Sequence, residues 1–132
     1  MLAFLISLML ASTTPSSILT IPIVHAEELT KEWTVIEMQT LAEDIARKHG
    51  LNVYRFKKTI ECESQWNRFA VGDQGRSHGL AQFYYPTRDW GIATSSAYDP
   101  EIALEIMASA WRRGEHRRWV CWSLLFGQGR SG

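Results

Sequence analysis

Two short segments, IECESQWN at positions 60–67 and SHGLAQF at positions 77–83, carry most of the information in this chain. The first places one carboxylate, Glu63, at the end of a predicted helix. The second is a glycine turn followed by apolar residues that include one glutamine, Gln82. Apolar residues precede Glu63 at steps of three and four, so the pattern predicts an amphipathic helix whose core face ends at this carboxylate.

Helix start signals recur along the rest of the chain. Thr34 and Asn52 are the predicted N-caps of the first two helices, and Asp99 begins a later helix that runs to Gly114. Residues 80–83 predict a third short helix, Thr87 caps a further turn through residue 90, and a last helix is predicted from residue 115 to about 126.

The overall pattern predicts a mostly α fold. No internal repeat and no convincing alternating strand is present in the sequence. Residues 68–78 contain two glycines and several polar residues, which predicts a loop or short irregular hairpin between the two segments quoted above.

The charge distribution separates the first 26 residues from the rest. All 14 Lys and Arg and all 14 Asp and Glu lie after residue 26. Residues 1–11 form an apolar run of signal-peptide length that is too short to span a bilayer, and Ala26 offers a cleavage site. We expect residues 1–26 to be a signal peptide. Because the N-terminal residues include no Lys or Arg, an uncleaved membrane anchor is the alternative. Residues 27–132 would then form one exported domain in the periplasm, the cell wall or the extracellular space.

The balanced charge limits the class of partner. The formal net charge is +0, so the chain lacks the basic excess that phosphate binding requires, and we expect no nucleic-acid partner. A basic cluster at residues 112–118 is interpreted as a solvated helix end. The four histidines have no ligand spacing, so neither a metal ion nor a cofactor is implied.

The chain has two cysteines, Cys62 and Cys121. In an oxidising compartment this pair predicts one disulfide, while a metal ligand and a catalytic thiol are the alternatives. Because Cys62 directly precedes Glu63, a disulfide would hold the backbone beneath that carboxylate.

Glu63 is the candidate catalytic residue. A carboxylic acid in a partly apolar setting has a raised pKa, and it can then protonate the leaving oxygen of a glycosidic bond at neutral pH. A glycoside hydrolase normally adds a second carboxylate. Glu61 lies on another helix face, and Asp73 and Asp89 fall in or near loops, so the sequence leaves the identity of such a partner open.

The two segments together resemble the signature motifs of the lysozyme-like lytic transglycosylases, the soluble lytic transglycosylase domain family. In that family E-S-x-x-N carries the catalytic acid and G-L-x-Q helps to form the sugar groove. The resemblance covers about residues 51–125 and implies a lysozyme-like helical domain with the loop or hairpin beside an active-site cleft. It also implies peptidoglycan glycan strands as the partner.

The resemblance assigns roles to four residues. Glu63 would protonate the bond between N-acetylmuramic acid and N-acetylglucosamine and would then, as a base, take the proton from the muramoyl C6 hydroxyl. That hydroxyl would attack its own anomeric carbon and give a 1,6-anhydro product without water. Ser64 would hydrogen-bond near the acid, Asn67 would fix the turn after the helix, and Gln82 would reach the sugar.

Further side chains are candidates for contact with the sugar. Ser77 and His78 open the second motif, and a turn role is the alternative for His78. Trp66 or Trp90 is expected near the groove, because flat aromatic faces pack on sugar rings. The C-terminal tryptophans are expected to pack in the core: Trp111, Trp119 and Trp122.

One late motif of the family differs in this chain. Residues 126–129 read Phe-Gly-Gln-Gly where the family has Tyr-Asn-x-Gly, so the phenolic hydroxyl is missing. Tyr84, Tyr85 or Tyr98 would have to supply it.

Three alternatives to a lytic transglycosylase stay open. The first is a goose-type-like lysozyme that hydrolyses the same bond with Glu63 and a loop acid such as Asp73. The second is a non-catalytic cell-wall-binding module on the same fold. The third is an unrelated, disulfide-linked helical protein, which a large distance between Glu63 and Gln82 would favour.

Overall fold

The computed structural model describes residues 31–128, and this part of the chain is mostly α-helical, as the sequence predicts. Its α-helices are α1 (Val35–Lys48), α2 (Val53–Ser64), α3 (Pro100–Arg112) and α4 (Val120–Phe126). Three short strands follow α2 in the chain: β1 (Val71–Gly72), β2 (Ser77–His78) and β3 (Phe83–Tyr84). The predicted signal peptide or anchor lies outside the described residues. None of the described helices has the length and apolar character needed to cross a membrane.

Side-chain caps set the starts of α1, α2 and α3. Thr34 Oγ1 accepts the backbone N–H of Glu37 at 3.1 Å, and the Glu37 carboxylate accepts the Thr34 N–H at 2.8 Å, which completes a capping box. Asn52 and Asp99 each accept a first-turn N–H through a side-chain oxygen. The three predicted N-caps are therefore confirmed.

The strands form an antiparallel sheet in the order β1-β2-β3. The hairpin of β1 and β2 confirms the irregular hairpin predicted for residues 68–78. The helix predicted at residues 80–83 is wrong, because β3 begins there. Gly79 has φ +79° and approaches the carbonyl oxygen of Ala97 so closely that a side chain would collide with it, and Gln82 has φ 49°. Two left-handed residues so close together interrupt a right-handed helix.

The helical turn predicted from Thr87 to Trp90 is also wrong. The Trp90 indole Nε1 donates to the carbonyl oxygen of Tyr84 at 3.0 Å, and the ring centroid lies 4.7 Å from that of Phe83. This packing draws the segment against β3 in an irregular conformation. A 3-10 turn (Thr94–Tyr98) forms further along, just before α3.

The predicted last helix is divided at Trp119. A 3-10 turn (Glu115–Arg118) precedes this residue and α4 follows it. Trp119 has an extended backbone, with φ −89° and ψ 118°, and its indole is buried with Nε1 donating to the carbonyl oxygen of Ala81 at 2.8 Å. Burial of the indole against the loop before β3 therefore requires a break between two helical segments.

The core lies where α1 packs against α2 and α3. The C-terminal helix α4 packs against α2. Phe56 of α2 and Trp111 of α3 meet edge to face, with ring centroids 5.2 Å apart. The predicted disulfide is confirmed: Cys62 of α2 is bonded to Cys121 of α4 across 59 positions, with their Cα atoms 5.8 Å apart. The bond ties the end of α2 to the start of α4.

Candidate active site

Glu63 lies in the last turn of α2, three residues after the fully buried Ile60. The helix ends directly after it, because Gln65 and Trp66 have left-handed backbones with φ 50° and 61°. The half-buried Glu63 carboxylate accepts the backbone N–H of Cys121 through Oε1 at 3.1 Å. The acid is therefore held between the end of α2 and the first turn of α4.

A cleft of about 410 Å³ opens in front of this carboxylate. Three parts of the chain form it: the end of α2, the small sheet with the segment after it, and the chain entering α4. Its lining residues are Glu63, Asp73, Arg76, Ser77, Gln82, Tyr84, Trp90, Arg118, Trp119 and Val120. Glu63 and Gln82, from the two motifs of the sequence, thus lie in one cleft.

The Glu63 carboxyl group has a raised pKa. Burial is the main cause, because it penalises the ionised form, and the negative charge of Asp73 acts in the same direction. The hydrogen bond from the Cys121 N–H opposes them, since it stabilises the carboxylate. The net effect is a raised pKa, which is the direction of shift that a general acid requires.

Asp73 is the second carboxylate of the cleft. It lies in the loop between β1 and β2 with φ 50°, and it accepts a hydrogen bond from the hydroxyl group of Ser77 through Oδ2. Ser77 itself is buried. The loop acid that the sequence could not place is therefore fixed in front of Glu63 by the hairpin.

Gln82 lines the cleft in a fixed orientation. Its Nε2 donates to the carbonyl oxygens of Ala70 at 3.0 Å and Gly79 at 2.9 Å, which uses both amide hydrogens. Its Oε1 packs against Gly72, where a side chain would collide with it. Only the carbonyl side of this amide is available as a hydrogen-bond acceptor for a ligand.

Backbone strain is concentrated around the cleft. In residues 31–128, the non-glycine residues with positive φ are Gln65, Trp66, Asp73, Gln74 and Gln82. Two of them line the cleft, one is adjacent to Asp73, and two end the helix that carries Glu63. Each such residue costs about 1–2 kcal/mol, and strain of this kind clusters at functional sites.

Other residues proposed from the sequence lie outside the cleft. Ser64 is buried and donates through Oγ to the carbonyl oxygen of Ile60 at 3.2 Å. Asn67 Oδ1 accepts the N–H of Phe69 at 3.0 Å, so it fixes the turn after α2. His78 Nδ1 lies 2.7 Å from the Tyr98 hydroxyl, in a cluster beside the sheet.

The tryptophans divide between two surfaces. Trp90 and Trp119 line the cleft, whereas Trp66 lines a separate groove of about 500 Å³ beside Tyr54 and Lys57. Trp119 is also buried in the core, as is Trp111. Trp90 is therefore the tryptophan candidate that the fold brings to Glu63.

Four cleft residues were not expected at the site from the sequence: Arg76, Arg118, Val120 and Trp119, the last of which was expected only to pack in the core. Arg118 belongs to the basic cluster that was interpreted as a solvated helix end, and Arg76 lies in a polar loop. Tyr84 was considered only as a source of the missing hydroxyl, and it is the one candidate tyrosine that lines the cleft. Within residues 31–128, no group of three His, Cys, Asp or Glu side chains is arranged to hold a metal ion.

Comparison of the chain with protein-family models, with curated proteins and with solved structures found no match. The geometry of this cleft and the two motifs that form it are therefore the basis for a proposed function.

The raised pKa of Glu63 predicts a stability difference that depends on pH. The folded state binds this proton more tightly than the unfolded state, so the contribution to stability is full below the unfolded pKa of about 4.3 and is lost as pH rises through the folded pKa. At pH 7 we expect Glu63→Gln to stabilise the protein by about 0.5–2 kcal/mol, and the gain should shrink towards pH 4. Urea unfolding of both proteins between pH 4 and pH 8 measures it.

The matched control is Glu61→Gln, on the exposed face of the same helix, where the carboxylate pairs with Lys58 at 2.9 Å. This variant should give no gain at pH 7. A stability difference for Glu63→Gln that is independent of pH would show that burial does not perturb the acid.

Proposed function

We propose that this protein is an exported peptidoglycan lytic transglycosylase with a lysozyme-like helical domain, in which Glu63 is the single acid and base. One observation carries the proposal: a half-buried carboxyl group with a raised pKa stands in a cleft beside an irregular hairpin. The two motifs give independent support, because Glu63 and Gln82 line the same cleft. Their position in one cleft is the arrangement that the proposal requires, and a separation of the two would have favoured an unrelated helical protein.

The proposed reaction uses the Glu63 carboxyl group twice, first as an acid and then as a base. Protonated Glu63 donates to the oxygen that links N-acetylmuramic acid to N-acetylglucosamine, and the bond from the muramoyl C1 to this oxygen breaks. The resulting Glu63 carboxylate then takes the proton of the muramoyl C6 hydroxyl group. The oxygen of that hydroxyl group forms the new bond to C1. The products are a 1,6-anhydromuramoyl end and a free N-acetylglucosamine end, and the acid is regenerated without consuming water.

Two further side chains fit this reaction. Tyr84 offers a phenol in the cleft, whereas Phe126 of α4 packs edge to face with Tyr54, with ring centroids 6.4 Å apart. The Tyr84 hydroxyl is therefore the proposed substitute for the family's late tyrosine. Trp90 lines the cleft and is the proposed aromatic contact for a pyranose ring.

Export is part of the proposal. The Cys62–Cys121 disulfide is compatible with an oxidising compartment, and the uncharged first 26 residues support the same interpretation. Residues 27–132 would act in the periplasm, the cell wall or outside the cell.

The testing experiment is mass spectrometry of fragments released from purified peptidoglycan by the disulfide-bonded protein. Lytic transglycosylase products are lighter than hydrolytic muropeptides by the mass of one water, and they should be absent with Glu63→Gln. Hydrated products would identify a hydrolase. No release by the folded protein would leave the wall-binding module as the better description.

A hydrolase of the goose-type-like kind is the second candidate, and the position of Asp73 in the cleft favours it. Such an enzyme would use this carboxylate to activate water or to stabilise the transition state. Asp73 faces the same space as Glu63 and raises its pKa.

Asp73→Asn separates the two mechanisms. A lytic transglycosylase with one acid should keep its rate within about tenfold and still give anhydro products, since the amide can accept the Ser77 hydrogen bond. A hydrolase that depends on Asp73 should lose about 10²–10⁴-fold. Product masses and initial rates, measured together with thermal unfolding of the variant, decide between them.

A further inference from the structure

The cleft carries two guanidinium groups that the proposed chemistry does not use. Arg76 lies in the loop between β1 and β2, and Arg118 ends the 3-10 turn before α4. Both line the same cleft as Glu63. They reach it from separate parts of the chain, one from the hairpin and one from the C-terminal segment.

The charge of Arg118 is only weakly compensated. Its nearest carboxylate, Glu115, lies 3.7 Å from Arg118 Nε, while the same Oε2 lies 3.0 Å from Arg88 and 3.4 Å from Arg113. One carboxylate is thus shared by three guanidinium groups, and Arg118 has the longest contact. Its side chain is 53% exposed, so the guanidinium group is accessible to a ligand.

Arg76 is held by groups that do not neutralise it. Its Nε donates to the backbone carbonyl oxygen of Asp73 at 2.9 Å, and its guanidinium carbon lies 5.7 Å from the centroid of the Tyr84 ring. Within the described part of the chain, no carboxylate lies within ion-pair distance of it. The outer guanidinium nitrogens are left to form the paired hydrogen bonds that arginine makes with carboxylates.

The charges of the cleft do not cancel before the reaction. The two cations Arg76 and Arg118 line the same cleft as Asp73, and the proposed reaction starts from the uncharged acid form of Glu63. A neutral sugar would leave this positive excess without a partner in the cleft. An anionic group on the ligand would offset it.

We propose that Arg76 and Arg118 bind a carboxylate of the glycan substrate, so that the cleft selects acidic, muramic-acid-type strands over neutral chitin-type strands. The identification of the ligand as a glycan rests on the proposed function. Two carboxylate sources share this chemistry: the lactyl group of a peptide-free muramoyl residue and the acidic residues of an attached stem peptide. Either carboxylate can accept hydrogen bonds from the two guanidinium groups.

The test measures binding by calorimetry in a Glu63→Gln background, so that no ligand is cleaved. The ligands are a peptide-free tetrasaccharide of alternating N-acetylglucosamine and N-acetylmuramic acid, the same tetrasaccharide with stem peptides, and neutral chitotetraose. At least one acidic ligand should bind about tenfold or more tightly than chitotetraose. Its affinity should fall with added NaCl, whereas that of chitotetraose should not. The better acidic ligand identifies the carboxylate source.

Arg76→Gln with Arg118→Gln should remove this preference, so that the acidic ligands and chitotetraose bind with similar affinity. The matched control replaces two exposed arginines outside the cleft, Arg112→Gln with Arg117→Gln, which makes the same change in net charge and should keep the preference. Thermal unfolding shows whether each variant is folded.

Equal weakening by both double variants, equal affinity for acidic and neutral ligands, or no binding of any ligand would overturn the inference. The outcome is separable from the proposed reaction. If the preference is found while the native protein releases no fragments from peptidoglycan, carboxylate recognition stands and the lytic activity fails. If fragments are released but acidic and neutral ligands bind equally well, the lytic activity stands and carboxylate recognition fails.

Discussion

Replacement of Glu63 by Gln is expected to lower the rate of glycan release by about 10²–10⁴-fold. The substitution keeps the size of the side chain and an oxygen that can accept the Cys121 N–H, but it removes the carboxyl group that first donates and then accepts a proton in the proposed reaction. The loss should appear in kcat, because the amide can still occupy the same place beside a bound sugar. Initial rates of soluble muropeptide release measure it.

Glu61→Gln serves as the matched control for this rate. It changes the same functional group two residues earlier on the same helix, where the side chain is exposed and pairs with Lys58. We expect its rate to stay within about twofold of the native value, since surface substitutions of this kind have small effects. A folded Glu63→Gln protein with native activity would remove Glu63 from the mechanism.

Loss of the Cys62–Cys121 disulfide is expected to lower the free energy of unfolding by about 4 kcal/mol, because the bond closes a loop of 59 positions. For a domain of this size the melting temperature should fall by about 15 °C or more. Calorimetry with and without reductant measures the shift. The chain has two cysteines and no free thiol, so the reductant acts on this bond alone.

The same bond should affect catalysis below the melting temperature. Cys62 directly precedes the acid in α2, and the N–H of Cys121 donates to the acid from α4. Reduction should therefore loosen both attachments of Glu63 and lower the rate of release. Cys62→Ala with Cys121→Ala should reproduce the effect and be insensitive to reductant. Full activity of this variant would show that packing alone positions the acid.

The helices that the sequence predicted correctly are those with strong local start signals. Thr34, Asn52 and Asp99 each cap the first turn of their own helix, so the information lies within four residues of chain. The segment from residue 80 to 90 was predicted wrongly because its conformation depends on distant partners. Gly79 packs against Ala97, and neither that approach nor the pairing of β2 with β3 is encoded locally.

The residues of the candidate site also fall into those that the sequence identified and those that it could not place. The motifs identified Glu63 and Gln82, and the fold brings both to one cleft. The charged residues that complete the cleft, Asp73, Arg76 and Arg118, come from a hairpin loop and a 3-10 turn. The sequence cannot place them, because their positions depend on how the sheet and α4 pack beside the end of α2.

The hydrogen bond from Cys121 to Glu63 joins residues 58 apart and imposes an order of assembly on the protein. A chain leaves the ribosome N-terminus first, so Glu63 remains in water, with the acidity of a free glutamate, while the following 58 residues are made. The cleft beside it is complete only after Trp119 and Val120, which come later in the chain, have docked. Under the proposed mechanism, we expect a nascent chain to be inactive towards glycan until this C-terminal segment has folded.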